Sequence, residues 1–250
     1  MKTKLSLITI SIILLVLFFS QGFAQNRKIE IATEPAWPPY WNKDFDSGGF
    51  FVEITREAFK RVGYDININW VPWKRAQELS FSGKYDALLG CYYTEERAKK
   101  LEYSAPVSST EVVFFELKGR NITFSSLRDL SPYTIGVVRG YANTDEFDAA
   151  DYLKKVESID TKISVRMLLG GRTDLIVNSR KVIEHLLNTE YPNEKENVSV
   201  VMPVLQARDI HIGFSKANSD YPKITQDFNS GLKAIQKNGT YDRIMKKHGF

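Results

Sequence analysis

Residues 28–33 alternate polar and apolar side chains, as a half-buried strand does. Across residues 52–62 the apolar positions Ile54, Ala58, Phe59 and Val62 recur at helical spacing, and Gly63 stands where a helix stop belongs. Alternation returns over 65–71, with Ile66, Ile68 and Trp70 on one face. The pattern predicts a short helix over 75–81, ending at Gly83, and a brief apolar strand over 86–90. A β-α-β-α-β order of this kind calls for a parallel sheet covered by helices.

The middle of the chain repeats the theme. Strands are predicted over 112–115 and 133–138, with a helical turn over 127–130 between them. Residues 147–156 read as a helix, 174–177 as a buried strand, and 180–187 as a helix whose apolar positions are Val182, Ile183, Leu186 and Leu187. Residues 198–202 read as a strand stopped by Pro203, and 211–214 as the last strand. A long helix with Ile224, Phe228, Leu232 and Ile235 on one face ends at Gly239, before a final short helix over 241–247. No low-complexity linker separates the halves.

The start of the chain has a different character. Lys2 and Lys4 precede an apolar run from Leu5 to Phe19, and Gly22-Phe23-Ala24 supplies small residues around a cleavage point. Residues 1–24 therefore read as a secretory signal peptide, the run being shorter than the ~20 apolar residues of a membrane anchor. Its removal leaves 250 − 24 = 226 residues and lowers the formal charge from +4 to +2, because only Lys2 and Lys4 are lost. That length buries one sizeable core or two small ones. Near-balanced charge without a long Lys/Arg block argues against nucleic acid as a partner. The lone Cys91 has no partner for an internal disulfide, and no cysteine follows the cleavage point to accept a lipid. The expected location is the periplasm, as a monomer without a stable membrane anchor.

Six ordered stretches carry the remaining signal: Glu34-Pro35-Ala36-Trp37-Pro38-Pro39-Tyr40, Gly83-Lys84-Tyr85-Asp86-Ala87, Thr94-Glu95-Glu96-Arg97, Tyr103-Ser104-Ala105-Pro106, Gly171-Arg172-Thr173-Asp174 and Asn238-Gly239-Thr240. Together they resemble the periplasmic solute-binding proteins of the polar amino-acid type, extracellular solute-binding family 3, over residues 28 to 247. The resemblance implies an α/β fold of the type II clamp. Each of its two lobes is a mainly parallel sheet flanked by helices, and two crossing strands join them. The crossings are expected near Ser108-Ser109-Thr110 and Ala207-Arg208-Asp209, giving one lobe of 25–109 plus 209–250 and another of 110–208.

Arg97 is the leading ligand contact. Thr94 is placed to cap the helix that begins there, and an arginine in a first turn sits at the positive helix end. A guanidinium fork in that place makes sense when an anion shares the site; the plainer alternative is a surface arginine paired with Glu95 or Glu96. Trp37, in a loop stiffened by Pro38-Pro39, and Trp73, after Pro72, lie at strand C-terminal ends and could wall a slot or simply pack into the lobe core. The resemblance adds Glu34 as an acid facing the ligand. It puts Tyr92 where relatives carry Ser or Thr, and Arg139-Gly140-Tyr141-Ala142-Asn143 as a second anchoring loop whose two small hydroxyl residues are here Tyr141 and Ala142. It also puts Ser179 where amino-acid binders hold a carboxylate for the ligand's α-ammonium, so either Glu34 or another acid supplies that charge, or the ligand is not an ordinary α-amino acid.

His185, His211 and His248 lack ligand-like spacing, and no nucleophile, phosphate-cradling or metal motif occurs, so neither cofactor nor metal is expected. The leading function is a binding protein that closes on a small polar or zwitterionic solute and hands it to an inner-membrane ABC permease. One alternative is a sensor that docks on a membrane signalling protein. Another is a cyclohexadienyl-dehydratase-like enzyme with Glu34 or Glu53 as its acid.

Overall fold

The computed structural model describes residues 28–250; the predicted signal peptide lies outside the described residues. The chain runs β1 (Lys28–Thr33), β2 (Ala36–Trp37), β3 (Trp41–Asn42), α1 (Phe50–Arg61), β4 (Asp65–Trp70), α2 (Trp73–Phe81), β5 (Ala87–Cys91), α3 (Glu95–Ala98), β6 (Leu101–Tyr103) and β7 (Ser108–Leu117). It continues through β8 (Thr134–Val138), α4 (Asp145–Ala149), β9 (Lys154–Ser158), α5 (Thr161–Leu169), β10 (Leu175–Ser179), α6 (Arg180–Glu190), β11 (Val198–Ser215), α7 (Tyr221–Lys237) and α8 (Thr240–Lys247).

Strand order is β4-β1-β5-β11-β7-β10-β8-β9, with β6 also paired to β11. β1 lies parallel to β4 and β5, and β8 lies parallel to β9 and β10. Between these two parallel groups run β7 and β11, antiparallel to each other with Thr110 opposite Arg208. The far end of β11 pairs with β5, so the C-terminal segment returns to the group that contains β1. There α7 packs on α1. Phe51, Ile54, Ala58 and Phe59 of α1 are buried, as are Phe228, Leu232 and Ile235 of α7. The two helices touch at Gly231, where a Cβ would stand 2.0 Å from the Ala58 carbonyl oxygen. The other parallel group is cored by Phe114, Ile135, Phe147, Leu168, Ile176 and Ile183.

Helix α5 and the short strands β2, β3 and β6 have no counterpart in the sequence expectation, and three further elements depart from it. Residues 147–156 are not one helix: α4 ends at Ala149, Ala150 is extended, and β9 follows in parallel register with β8. Thr144 caps α4 by accepting from the Phe147 N–H at 3.1 Å, and strand pairing then overrides the local apolar spacing. β11 does not stop at Pro203 but runs to Ser215. Its ladder with β7 shifts register between Val201 and Gln206, which places Pro203, without an N–H to donate, in the interruption. Finally, α2 begins at Trp73 with Pro72 at its N-cap, two residues earlier than the 75–81 pattern.

Candidate functional site

The first parallel group delivers its loops to one end of the sheet. Directly after β1 comes Glu34, followed by the β2–β3 hairpin, in which Trp37 stands opposite Trp41. The Trp37 ring lies 4.7 Å from Tyr40 and 4.9 Å from Trp41, centroid to centroid. Trp41 lies across strand β5 at Gly90, where an added Cβ would be 2.2 Å from the far edge of the indole. Gly90 also has φ +81°, so both its backbone and the indole above it require glycine. Two residues on, Tyr92 leads into α3, and the Thr94 hydroxyl accepts from the Arg97 N–H at 3.1 Å.

Arg97 is 6% exposed. Its Nε donates to Gln77 Oε1 at 3.3 Å, Nη1 to the Tyr92 carbonyl at 3.1 Å and Nη2 to the Gly140 carbonyl at 3.0 Å. The guanidinium also lies 5.6 Å from the Trp73 ring centre. All three acceptors are neutral, and among the described residues no carboxylate pairs with Arg97. A charge taken out of water without a countercharge is costly.

The other wall comes from the loop after β8. Its Gly140 carbonyl accepts from Trp73 Nε1 at 3.0 Å and Gln77 Nε2 at 3.1 Å as well as from Arg97. Tyr141 reaches across and places its hydroxyl 2.7 Å from both oxygens of Glu34. Glu34 is 7% exposed. Burial pushes its carboxyl up to about 8, opposed by the Tyr141 hydrogen bond and assisted by the nearby charge of Asp160. Burial likewise holds the Tyr92 and Tyr141 phenols well above the ordinary range. Glu34, Trp37, Trp41, Trp73, Gly90, Tyr92, Arg97, Tyr141 and Ala142 thus line one cavity, which their side chains fill to leave about 20 Å³.

The sequence candidates divide accordingly. Glu34, Trp37, Trp73, Tyr92, Arg97 and Tyr141 come together in this cavity. Arg139 does not: its Nε pairs with Glu157 at 2.9 Å, both side chains 56% exposed, because β9 lies beside the end of β8. Asn143 is buried, but its backbone N–H and Nδ2 both donate to Asp148, and it lines an outer groove rather than the cavity. Ser179 lies outside as well, its hydroxyl 2.6 Å from that of Thr110. Glu53, the other proposed acid, contacts Lys247 and His248. Trp41 and Gly90 were not foreseen; the tight turn of Pro38-Pro39-Tyr40, which folds a second tryptophan back on Trp37, was the available signal for Trp41.

A cleft between two parallel-sheet groups, spanned by β7 and β11 and holding a buried guanidinium, is the arrangement of a solute-binding clamp. The family model for bacterial extracellular solute-binding proteins, family 3, matches residues 29–250. The chain belongs to that family. It is similar to a protein of Campylobacter jejuni named as a probable histidine-binding protein, 25% identical over 232 residues that cover 88% of this chain and 84% of the relative. Among solved structures, an ancestral arginine-binding protein bound to arginine is 26% identical with a TM-score of 0.75, covering 89% of this chain and 98% of that one. A histidine kinase sensor domain with similarity to periplasmic binding proteins shares the fold at a TM-score of 0.78 and 21% identity, covering 90% and 96% of the two chains. The fold of this family member is therefore the two-lobed type II clamp. Among its described residues no helix is long and apolar enough to cross a membrane.

Proposed function

We infer that the protein is a periplasmic receptor that captures a small polar or zwitterionic, carboxylate-bearing solute of amino-acid-like size between its lobes and delivers it to an inner-membrane ABC transporter. Arg97 carries this reading: a buried guanidinium, backed only by neutral acceptors, facing a cavity between the two lobes. In it the lobes comprise 25–109 plus 209–250 and 110–208, and they close by bending of β7 and β11, because the guest binds the closed state better than the open one. The similarity to proteins named for histidine and arginine binding supports an amino-acid-like guest. The role is binding rather than catalysis. Among the described residues lining the cavity Glu34 is the only carboxyl group, so acid–base work by a carboxylate pair has no second member there. The mature chain acts as a diffusible monomer once residues 1–24 are removed.

The test is a thermal-shift screen of the mature chain against amino acids, polyamines, dicarboxylates and aromatic acids. A solute at a hundred times its Kd adds about 2.7 kcal/mol to stability and raises the melting temperature. Arg97→Ala is expected to abolish the shift for a carboxylated solute while the unliganded protein still unfolds cooperatively. A full response in the variant would show that the anchor lies elsewhere.

A further inference from the structure

Five aromatic side chains, Trp37, Trp41, Trp73, Tyr92 and Tyr141, share the cavity walls with Glu34. Trp37 meets Tyr92 at 70° and 6.0 Å, and Trp73 meets Tyr141 at 82° and 6.0 Å. Rings set nearly perpendicular enclose a guest from several directions, making a box where parallel rings would make a slot. Aromatic faces carry the negative side of a quadrupole and attract a cation, most strongly where water is excluded.

Hydrogen-bond acceptors are scarce in that box. The Glu34 oxygens, which share the single Tyr141 hydroxyl proton, are the only carboxyl acceptors lining it among the described residues, and the Ser179 hydroxyl is turned to Thr110. A buried primary ammonium brings three N–H donors, each of which is costly to leave unpaired. A fully methylated ammonium brings none; it asks only for ring faces and a countercharge. Glu34, protonated in the unliganded cavity at neutral pH, gives up its proton to solvent when a cation seats beside it and then provides that charge at the cavity wall. The groove outside also favours a positive approach, since Glu95, Glu96, Asp145, Asp148 and Glu157 line it against Lys74, Lys155 and the Arg97 that it shares with the cavity. At the other pole, Arg97 has committed three of its five N–H groups, leaving two for a carboxylate.

We propose that the cavity takes a short zwitterion whose positive end is a quaternary, methylated ammonium held in the aromatic box beside Glu34, with its carboxylate on the two uncommitted N–H groups of Arg97. The assignment rests on the receptor reading above and narrows its solute class. It makes Glu34 and the aromatic walls, rather than a second carboxylate, the specificity determinants of the site.

The experiment titrates the mature chain with glycine betaine, glycine, choline, arginine and histidine, following tryptophan emission and melting temperature together. Glycine betaine is expected to bind at least about tenfold more tightly than glycine, from which it differs only by three N-methyl groups. Choline, which keeps the methylated ammonium but lacks the carboxylate, should bind more weakly than glycine betaine. Glu34→Gln and Tyr92→Leu should each weaken glycine betaine about tenfold while leaving the unliganded melting transition cooperative. Equal affinity for glycine and glycine betaine, or no saturable response to glycine betaine, overturns the assignment. If arginine or histidine then binds in an Arg97-dependent manner, the receptor reading stands and only the quaternary-ammonium assignment falls. If none of the five probes registers and the wider thermal-shift screen finds no carboxylated solute either, both fall.

Discussion

Raising the pH through neutrality should destabilise the unliganded protein by way of Glu34. The unfolded chain releases this proton near the ordinary glutamate value of 4.5, whereas the folded protein holds it up to about 8. Glu34 therefore contributes its full share below pH 4.5, loses it progressively as the pH climbs, and adds no further loss above about 8, where both states are ionised. Each pH unit inside that window costs about 1.4 kcal/mol, so the ceiling on the loss is about 5 kcal/mol. Parting of the lobes lowers the realised figure, because an ionised Glu34 reaches water once Tyr141 withdraws. The same groups set the midpoint: Tyr141 stabilises the ionised form through its hydrogen bond, and Asp160 opposes it. Urea unfolding of wild type and Glu34→Gln at pH 5.5, 7 and 8.5 isolates the effect, since the other titrating groups are common to both. Wild type should lose about 2–3 kcal/mol relative to the variant across that series, within the ~3.4 kcal/mol that the window from pH 5.5 to about 8 allows. Parallel curves for the two proteins would mean that Glu34 is ionised in the folded state, and the burial argument would fail.

Tyr141→Phe removes the hydroxyl that favours ionised Glu34, so the midpoint of the same pH profile should move upward; an unchanged or lowered midpoint contradicts the cross-cleft hydrogen bond. Gly90→Ala combines a left-handed backbone with a side-chain carbon 2.2 Å from Trp41. It should cost about 2–4 kcal/mol in urea unfolding and alter tryptophan emission, whereas a change below 1 kcal/mol would show that the indole does not rest on β5.

Much of this clamp is legible in the sequence, for reasons visible in particular elements. Helices α1 and α7 bury long apolar rows on a single face, β1 alternates polar and apolar residues, and β5 is a short apolar run, so their patterns survive without knowledge of their neighbours. Helix α5 is harder to read, because its buried face mixes Thr161 and Ser164 with Val165 and Leu168 and blurs the period. Its start was marked by Asp160, which accepts from the Ile163 N–H at 2.8 Å. Strand β9 escapes because parallel pairing with β8, and not its own alternation, defines it. Strand β11 reads as two pieces because a proline inside a strand normally ends it, and here the partner ladder slips to accommodate the gap.

The site divides along similar lines. Arg97, Trp73 and Glu34 follow strands or caps whose ends are marked locally, and the structure brings their side chains to one cavity. Arg139 and Asn143 belong to the second anchoring loop, and there neighbours decide the outcome. Glu157 on β9 and Asp148 on α4 engage them outside the cavity. The filling of the site by Tyr141 and Trp41 depends on how the two lobes and the β2–β3 hairpin come together, which no local pattern encodes.

The contact between a solute carboxylate and Arg97 is best measured as a thermodynamic cycle, using the tightest-binding solute from the screen and its uncharged primary amide against wild type and Arg97→Ala. In wild type, replacing the carboxylate by the amide should weaken binding by about 10–100-fold, the worth of a charge-assisted pair at a buried site. In Arg97→Ala the same replacement should change affinity by less than about twofold, giving a coupling of at least 1 kcal/mol. Equal losses in both proteins would mean that the guanidinium does not hold the solute's negative group.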